Sequence, residues 1–137
     1  MIQATGSVPA QSGKALVTLD FSDRKVLIVE DDIFIALDLE RVLDGVGCSV
    51  IGPASSVERA LRSIADTRID AALLDVNLGP ELVFPVADRL SAEGVPFIFV
   101  TGEPSTVPER HWTRPVITQP YQAPAVLEAL AAVMKPT

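Results

Sequence analysis

The sequence predicts a three-layer α/β sandwich built on a parallel sheet, and three observations predict it. Short runs apolar at every position, such as Val26-Leu27-Ile28-Val29 and Ala71-Ala72-Leu73-Leu74, recur along the chain, and strands apolar on both faces belong to sheets covered on both sides. Between these runs lie stripes of apolar residues at helical spacing. The two patterns alternate, and right-handed crossovers then place helices on both faces of the sheet.

Residues 1–14 are rich in Gly, Ser, Gln, Ala and Pro without an apolar period, so they read as a flexible arm. Alternation of Leu16, Thr18 and Asp20 with Val17, Leu19 and Phe21 admits a short extra strand over residues 15–21. The arm then spans residues 1–22 and one folded domain spans residues 23–137. Strands are expected over residues 25–30, 49–52, 70–75, 95–101 and 115–118. Ile35, Leu39, Val42, Leu43 and Val46 form the first helical stripe, which Gly45 and Gly47 end. Val57, Ala60, Leu61 and Ile64 form the second, capped by Ser55 or Ser56. A third helix is expected over residues 83–93 and a last over residues 123–134, with Val126, Ala129, Leu130 and Val133 facing inward. Residues 102–114 break the rhythm: Pro104, Pro108 and polar neighbours leave room for about one helical turn, near residues 107–111. The fourth crossover helix is therefore short or absent.

At 137 residues the chain can bury a real core without disulfides or metal. Its formal charge of −7 and 11 scattered basic residues exclude binding through a nucleic-acid backbone, which requires clustered Lys and Arg. The single cysteine, Cys48, precludes an internal disulfide and reads as a packed thiol beside Val50 and Ile51. No basic leader with an apolar core and no long apolar span is present, so a cytoplasmic protein without membrane contact is expected.

The chemistry gathers at strand ends. Asp75 closes one buried run, Glu30, Asp31 and Asp32 close another, and Thr101 closes a third. Open α/β sheets bind ligands at the carboxyl ends of their strands, and a carboxylate cluster there is costly unless a hard cation or protons neutralise it. A lone Asp after a strand also serves as a cap, and an acidic pair also suits the first turn of a helix. The joint occurrence of all these groups, in this order, favours a site.

At residues 25–134 these features resemble the receiver domain of bacterial two-component response regulators. The resemblance rests on Val-Leu-Ile-Val-Glu-Asp-Asp at 26–32, Leu-Leu-Asp-Val-Asn-Leu at 73–78, Phe-Val-Thr-Gly at 99–102 and Gln-Pro-Tyr at 119–121. It implies a flavodoxin-like sandwich with strand order 2-1-3-4-5. It also implies that Asp75 is the phosphoacceptor, that Asp31 and Asp32 hold Mg²⁺ with Asp75 and the backbone carbonyl of Asn77, and that Thr101 is the switch hydroxyl. Phe99 to Gly102 and the shrunken fourth helix further resemble the alphaproteobacterial subgroup named for a Phe-Ala-Thr-Gly motif, whose members are often stand-alone receivers. Val100, Glu103 and Pro104 depart from that motif.

The same roles suit the residues. Asp75 can attack phosphorus only when ionised, while the acids beside it hinder its ionisation and repel an anionic donor. A cation held by oxygen ligands removes both obstacles. Positioning and charge neutralisation do most of the work in phosphoryl transfer, so a small phosphodonor can suffice. The attached phosphoryl oxygens are strong acceptors able to draw Thr101 inward.

The main departure is Gln119, which stands where the family carries a lysine that contacts the phosphoryl group. A neutral hydrogen bond is worth about 0.5–1.5 kcal/mol against about 1.5–3 kcal/mol for a charge-assisted one. The switch is expected to weaken about tenfold. Val116 stands where many family members carry a rotating Tyr or Phe. The Gln119–Pro120 bond is expected to be cis by resemblance. Asn77 and Glu103 either control water access to the phosphoryl group, speeding self-dephosphorylation, or are solvated loop residues. His111 reads as a surface loop residue rather than a metal ligand. Trp112 reads as the anchor of its segment, packed on Val107, Val116 or the fourth strand, with partner docking as the alternative.

The expected function is a single-domain receiver, not an enzyme in its own right, that takes phosphate from a sensor histidine kinase and acts on a downstream protein. A monomer or weak dimer is expected, because the fourth helix that builds the usual family interface is reduced. A degenerate pseudo-receiver that binds protein without phosphate is the rival, with Gln119 as its main support. A Mg²⁺-dependent phosphohydrolase is the third reading, weakened by the lack of an obvious general acid.

Overall fold

The computed structural model describes residues 21–134. The arm of residues 1–14 and the strand expected over residues 15–21, apart from Phe21, lie outside the described residues. In chain order the elements are β1 (Lys25–Val29), α1 (Ile33–Asp44), β2 (Ser49–Ala54), α2 (Val57–Asp66), β3 (Ala71–Leu74), β4 (Asn77–Leu78), β5 (Glu81–Leu82), α3 (Phe84–Ala92), β6 (Phe97–Thr101), β7 (Val116–Thr118) and α4 (Ala123–Val133). The main sheet is parallel throughout, in the order β2-β1-β3-β6-β7. This is the flavodoxin-like order expected, since β4 and β5 form only a separate antiparallel hairpin. That hairpin was not expected; each strand is two residues long, too short to show a period. Gly79, at φ +79°, makes its turn, and Asn77 Oδ1 accepts the Gly79 N–H at 3.0 Å.

The central strands β1, β3 and β6 are buried almost throughout, while the edges β2 and β7 are partly exposed. Side chains alternate across the sheet and split the core in two. Leu27, Val29, Ala72, Leu74, Phe97 and Phe99 pack under α2 and α3. Val26, Ile28, Ala71, Leu73, Ile98 and Val100 pack with α1 and α4 on the other face. Cys48 joins this second layer, where burial pushes its thiol up to about 11 and keeps it protonated.

Helix starts follow local chemistry. Asp32 Oδ1 accepts the N–H groups of Phe34 and Ile35 at 2.9 and 3.2 Å, and Ser56 Oγ accepts that of Arg59 at 3.2 Å. Pro85 and Pro124 lie in the first turns of α3 and α4, where no helical N–H partner is lost. β2 runs two residues beyond its expected end because Gly52 adopts φ +90°; a Cβ there would stand 2.7 Å from Ala54 N and 3.1 Å from Ile28 O. The register with β1 shifts at this point, and Ala54 O reaches Glu30 N at 3.0 Å.

Residues 102–114 hold no α-helix. Two 3₁₀ turns, Pro104–Thr106 and Glu109–His111, take its place. Two expectations reverse here. His111 is not a surface residue but is 3% exposed, with its ring among Phe84, Phe97 and Phe99 at centroid distances of 6.4, 5.7 and 6.1 Å. Trp112 is 68% exposed and does not pack as the anchor, although its Nε1–H donates to Val107 O at 2.9 Å. The reversal has a physical cause: His111 Nε2 lies 2.8 Å from Asp88 Oδ1 on α3, a partner 23 residues away that local pattern does not reveal.

The substitution Phe99→Ala is expected to cost about 3–5 kcal/mol by chemical denaturation, because it opens a cavity under the central sheet. Trp112→Ala should cost only about 0.5–1.5 kcal/mol, the worth of one hydrogen bond.

Candidate functional site

Main-chain bonds that continue past the strand ends position the site. Glu30 N donates to Ala54 O at 3.0 Å, Asp75 N to Val29 O at 2.9 Å, and Gln119 N to Thr101 O at 2.8 Å. Each residue thereby sits one step beyond its strand, at the carboxyl edge of the sheet, where side chains can converge.

There, one carboxylate oxygen from each of Glu30, Asp31 and Asp75 lies within 4.8 Å of the others. The set differs from the one the sequence suggested. Asp32 does not join it, since its carboxylate caps α1; Glu30, read from sequence as part of the acidic run but not as a ligand, stands in the cluster instead. Three consecutive acids look alike in a sequence; the turn of the chain after β1 decides which of them face the pocket. Their run at the end of a buried strand was the available signal for Glu30.

Glu30 is 3% exposed. Its Oε2 accepts the Asp32 N–H at 3.1 Å, and its Oε1 is buried with no hydrogen-bond partner. Burial pushes its carboxyl up to about 8, the negative charges of Asp75 and Asp31 add to the rise, and the Asp32 N–H partly opposes it. Asp31 is exposed and Asp75 half-buried, so the pocket opens to solvent on one side. An orphaned buried oxygen beside two further carboxylates is a donor set that fits a hard divalent cation.

Thr101 is fully buried at the end of β6, and its Oγ1 accepts the Glu103 N–H at 3.1 Å. Glu103 Oε2 meets Asn77 Nδ2 at 3.5 Å. Asn77 and Glu103, expected two residues after Asp75 and Thr101, thus come together. Gln119 Nε2 donates to Val100 O at 3.1 Å, so its amide is engaged by β6. The Gln119–Pro120 bond is cis, as expected, and so is Gly52–Pro53. Val116 is half-buried against the layer under α2 and α3. Beside the acids, Phe34, Ile35, Asp38, Gly102, Gln119, Pro120 and Tyr121 line a groove of about 570 Å³. Tyr121 Oη donates to Asp38 Oδ2 at 2.5 Å; burial first, and then Asp38, raise the Tyr121 pKa.

No protein-family profile matches the chain. Its fold is that of the solution structure of the Erythrobacter litoralis PhyR response regulator REC domain, with a TM-score of 0.75 and 23% identity over 85% of this chain and 97% of that one. It is 35% identical over 115 residues to the phyllosphere-induced regulator PhyR of Methylorubrum extorquens, a match covering 77% of this chain. The chain spans 41% of that curated relative's length. It is 41% identical to SdrG from Pseudomonas melonis Fr1, solved in a BeF₃-activated conformation, with a TM-score of 0.69 over 82% of this chain and 98% of that one. The chain belongs to the response regulator receiver family. Within it, this receiver falls in the alphaproteobacterial group of PhyR and SdrG. No helix among the receiver's described residues is long and apolar enough to cross a membrane.

The Glu30 carboxyl sets a pH dependence. Its folded pKa, about 8, lies above the ordinary 4.5, so the folded state holds the proton more tightly. Its contribution to stability is complete below about 4.5 and is lost as pH rises through about 8. In a chelator the melting temperature should fall across that window, and Glu30→Gln should flatten the fall. An equally steep fall in the variant would place its cause elsewhere.

Proposed function

We propose that this receiver accepts a phosphoryl group on Asp75 in a Mg²⁺-dependent reaction with a sensor histidine kinase as donor, and that it signals through contacts with a downstream protein. The convergence of the Glu30, Asp31 and Asp75 carboxylates beside the buried Thr101 carries the reading. Glu30, Asp31 and Asp75 would hold the ion, joined by the Asn77 carbonyl on the family resemblance. Bound there, Mg²⁺ supplies the positive charge that neutralises the carboxylates and orients the donor's phosphoryl oxygens.

An Asp75 carboxylate oxygen attacks phosphorus as the P–N bond of the donor phosphohistidine breaks; the electron pair leaves on the imidazole nitrogen, which takes a proton from solvent. With acetyl phosphate the P–O bond breaks and acetate leaves. The protein's part is to aim Asp75, whose N–H donates to Val29 O, while Asn77 and Glu103 meet at the solvent side of the site and set how water reaches it. The Thr101 hydroxyl, whose oxygen accepts the Glu103 N–H, then turns its O–H to donate to a new phosphoryl oxygen. The BeF₃-activated conformation of SdrG supports this reading, because beryllofluoride on a carboxylate mimics a phosphoryl group. Release of the phosphoryl group to water restores the resting state, so the chain is a turnover-limited acceptor and not an enzyme acting on a separate substrate.

Gln119 favours a second reading, a pseudo-receiver. Its amide is neutral and already bonded to Val100 O, so it offers the phosphoryl group less than a lysine does. Protein binding would then proceed without phosphate.

Intact mass after incubation with Mg²⁺ and acetyl phosphate separates the two. The expected result is one added phosphoryl group, absent in chelator and absent in Asp75→Asn. Gln119→Lys should strengthen the phosphate-driven change in the Thr101 environment about tenfold, read as the conformational equilibrium by NMR. No adduct on either wild type or Gln119→Lys overturns the phosphoacceptor reading.

A further inference from the structure

Residues 102–114 form a strap with two moorings. At the site end, Glu103 N–H donates to Thr101 Oγ1 at 3.1 Å and Glu103 Oε2 meets Asn77 at 3.5 Å. At the far end the strap is clasped to α3. His111 Nε2 lies 2.8 Å from Asp88 Oδ1, and Arg110 reaches both oxygens of the same carboxylate, Nε to Oδ1 at 2.8 Å and Nη2 to Oδ2 at 3.1 Å. Arg114 donates to Ser91 Oγ at 2.9 Å and stands 4.4 Å over the Phe97 ring. Thr106 Oγ1 donates to Glu103 O at 2.8 Å, and Val107 is buried in the core, so the span between the moorings is tied down as well.

His111 is an unusual choice for a buried clasp. An apolar side chain would fill the space among the three phenylalanines without leaving Nδ1 buried and unpartnered, as it is here. What the imidazole adds is a directional bond to the Asp88 carboxylate, with the Arg110 guanidinium on the same oxygens. Arg110 and His111 hold the Asp88 carboxyl below the usual range, so it remains an acceptor. The cage includes Phe99, two residues before Thr101 on the same strand.

We propose that Asp88 and His111 are positioning residues that hold this strap in its resting pose and thereby set where the Thr101 hydroxyl stands. The proposal rests on the phosphoacceptor reading for its consequence. Thr101 Oγ1 accepts the Glu103 N–H, so any inward shift of Thr101 that lets its O–H donate to a phosphoryl group must carry Glu103 along or stretch that bond, and a strap clasped at Asp88 resists either movement. The clasp favours the resting state, and loosening it lowers the cost of reaching the active one.

The test uses the whole chain as wild type, Asp88→Asn and His111→Gln, with Arg89→Gln as a control, since the Arg89 side chain pairs with Glu93, one residue past the end of α3. Asp88 is about half exposed, so its variant should fold. The Thr101 methyl and Glu103 amide resonances are recorded without phosphodonor, and then the rate of adduct formation with Mg²⁺ and acetyl phosphate. Asp88→Asn and His111→Gln are expected to shift both resonances and to speed amide exchange at Val107 and Trp112 about tenfold. Adduct formation should rise several-fold, with Arg89→Gln unchanged throughout. A merely structural clasp would lower the melting temperature and leave the Thr101 resonance and the rate unmoved, and that result overturns the proposal. If wild type takes no phosphoryl group, the phosphoacceptor reading fails, and an unmoved Thr101 resonance would sink the positioning role on its own.

Discussion

Everything at the carboxyl edge depends on the parallel ladder continuing one residue past the strands. The bonds from Glu30 to Ala54, Asp75 to Val29 and Gln119 to Thr101 carry the rigidity of a core buried on both faces into residues outside any strand. Side chains there inherit the precision of the sheet, whereas groups on free loops would have to be ordered at each use. The shift of register at Gly52 is part of the same device, since it delivers the carbonyl that holds Glu30.

The precision has an electrostatic cost. Three carboxylates within 4.8 Å repel one another, and Glu30 is buried as well. The metal-free domain relieves that cost by holding the Glu30 proton up to about pH 8. A cation would relieve it in another way, by setting a positive charge among the three carboxylates.

The strap shows how a lost helix can be replaced. A regular crossover helix would bury an apolar stripe against the sheet. Here two 3₁₀ turns bury Val107 and His111 instead, and polar bonds to Asp88 and Ser91 supply the directionality that a helix obtains from its own ladder. Its internal bonds are short-range turns, such as Val107 N to Pro104 O and Trp112 N to Glu109 O, so its pose depends on the clasp to α3 more than a helix's would. The exposed Trp112, fixed by its bond to Val107 O, rides on it.

The sequence by itself determined the layers, the strand and helix order, the parallel sheet and the edge at which acids gather. These follow from apolar periodicity and from capping residues such as Ser56, which are local properties of the chain. Asp75 and Thr101 were legible because each ends a buried run. Only the structure showed that Glu30 and not Asp32 gathers with Asp31 and Asp75, that Gln119 bonds to Val100 O, and that His111 rather than Trp112 is buried. Each outcome depends on a group brought close by the crossovers: the Asp75 carboxylate beside Glu30, Val100 on the strand neighbouring Gln119, Asp88 on α3 beside His111. The direction in which a polar side chain turns is set by the partners it finds, and in a chain of this topology those partners lie tens of residues away.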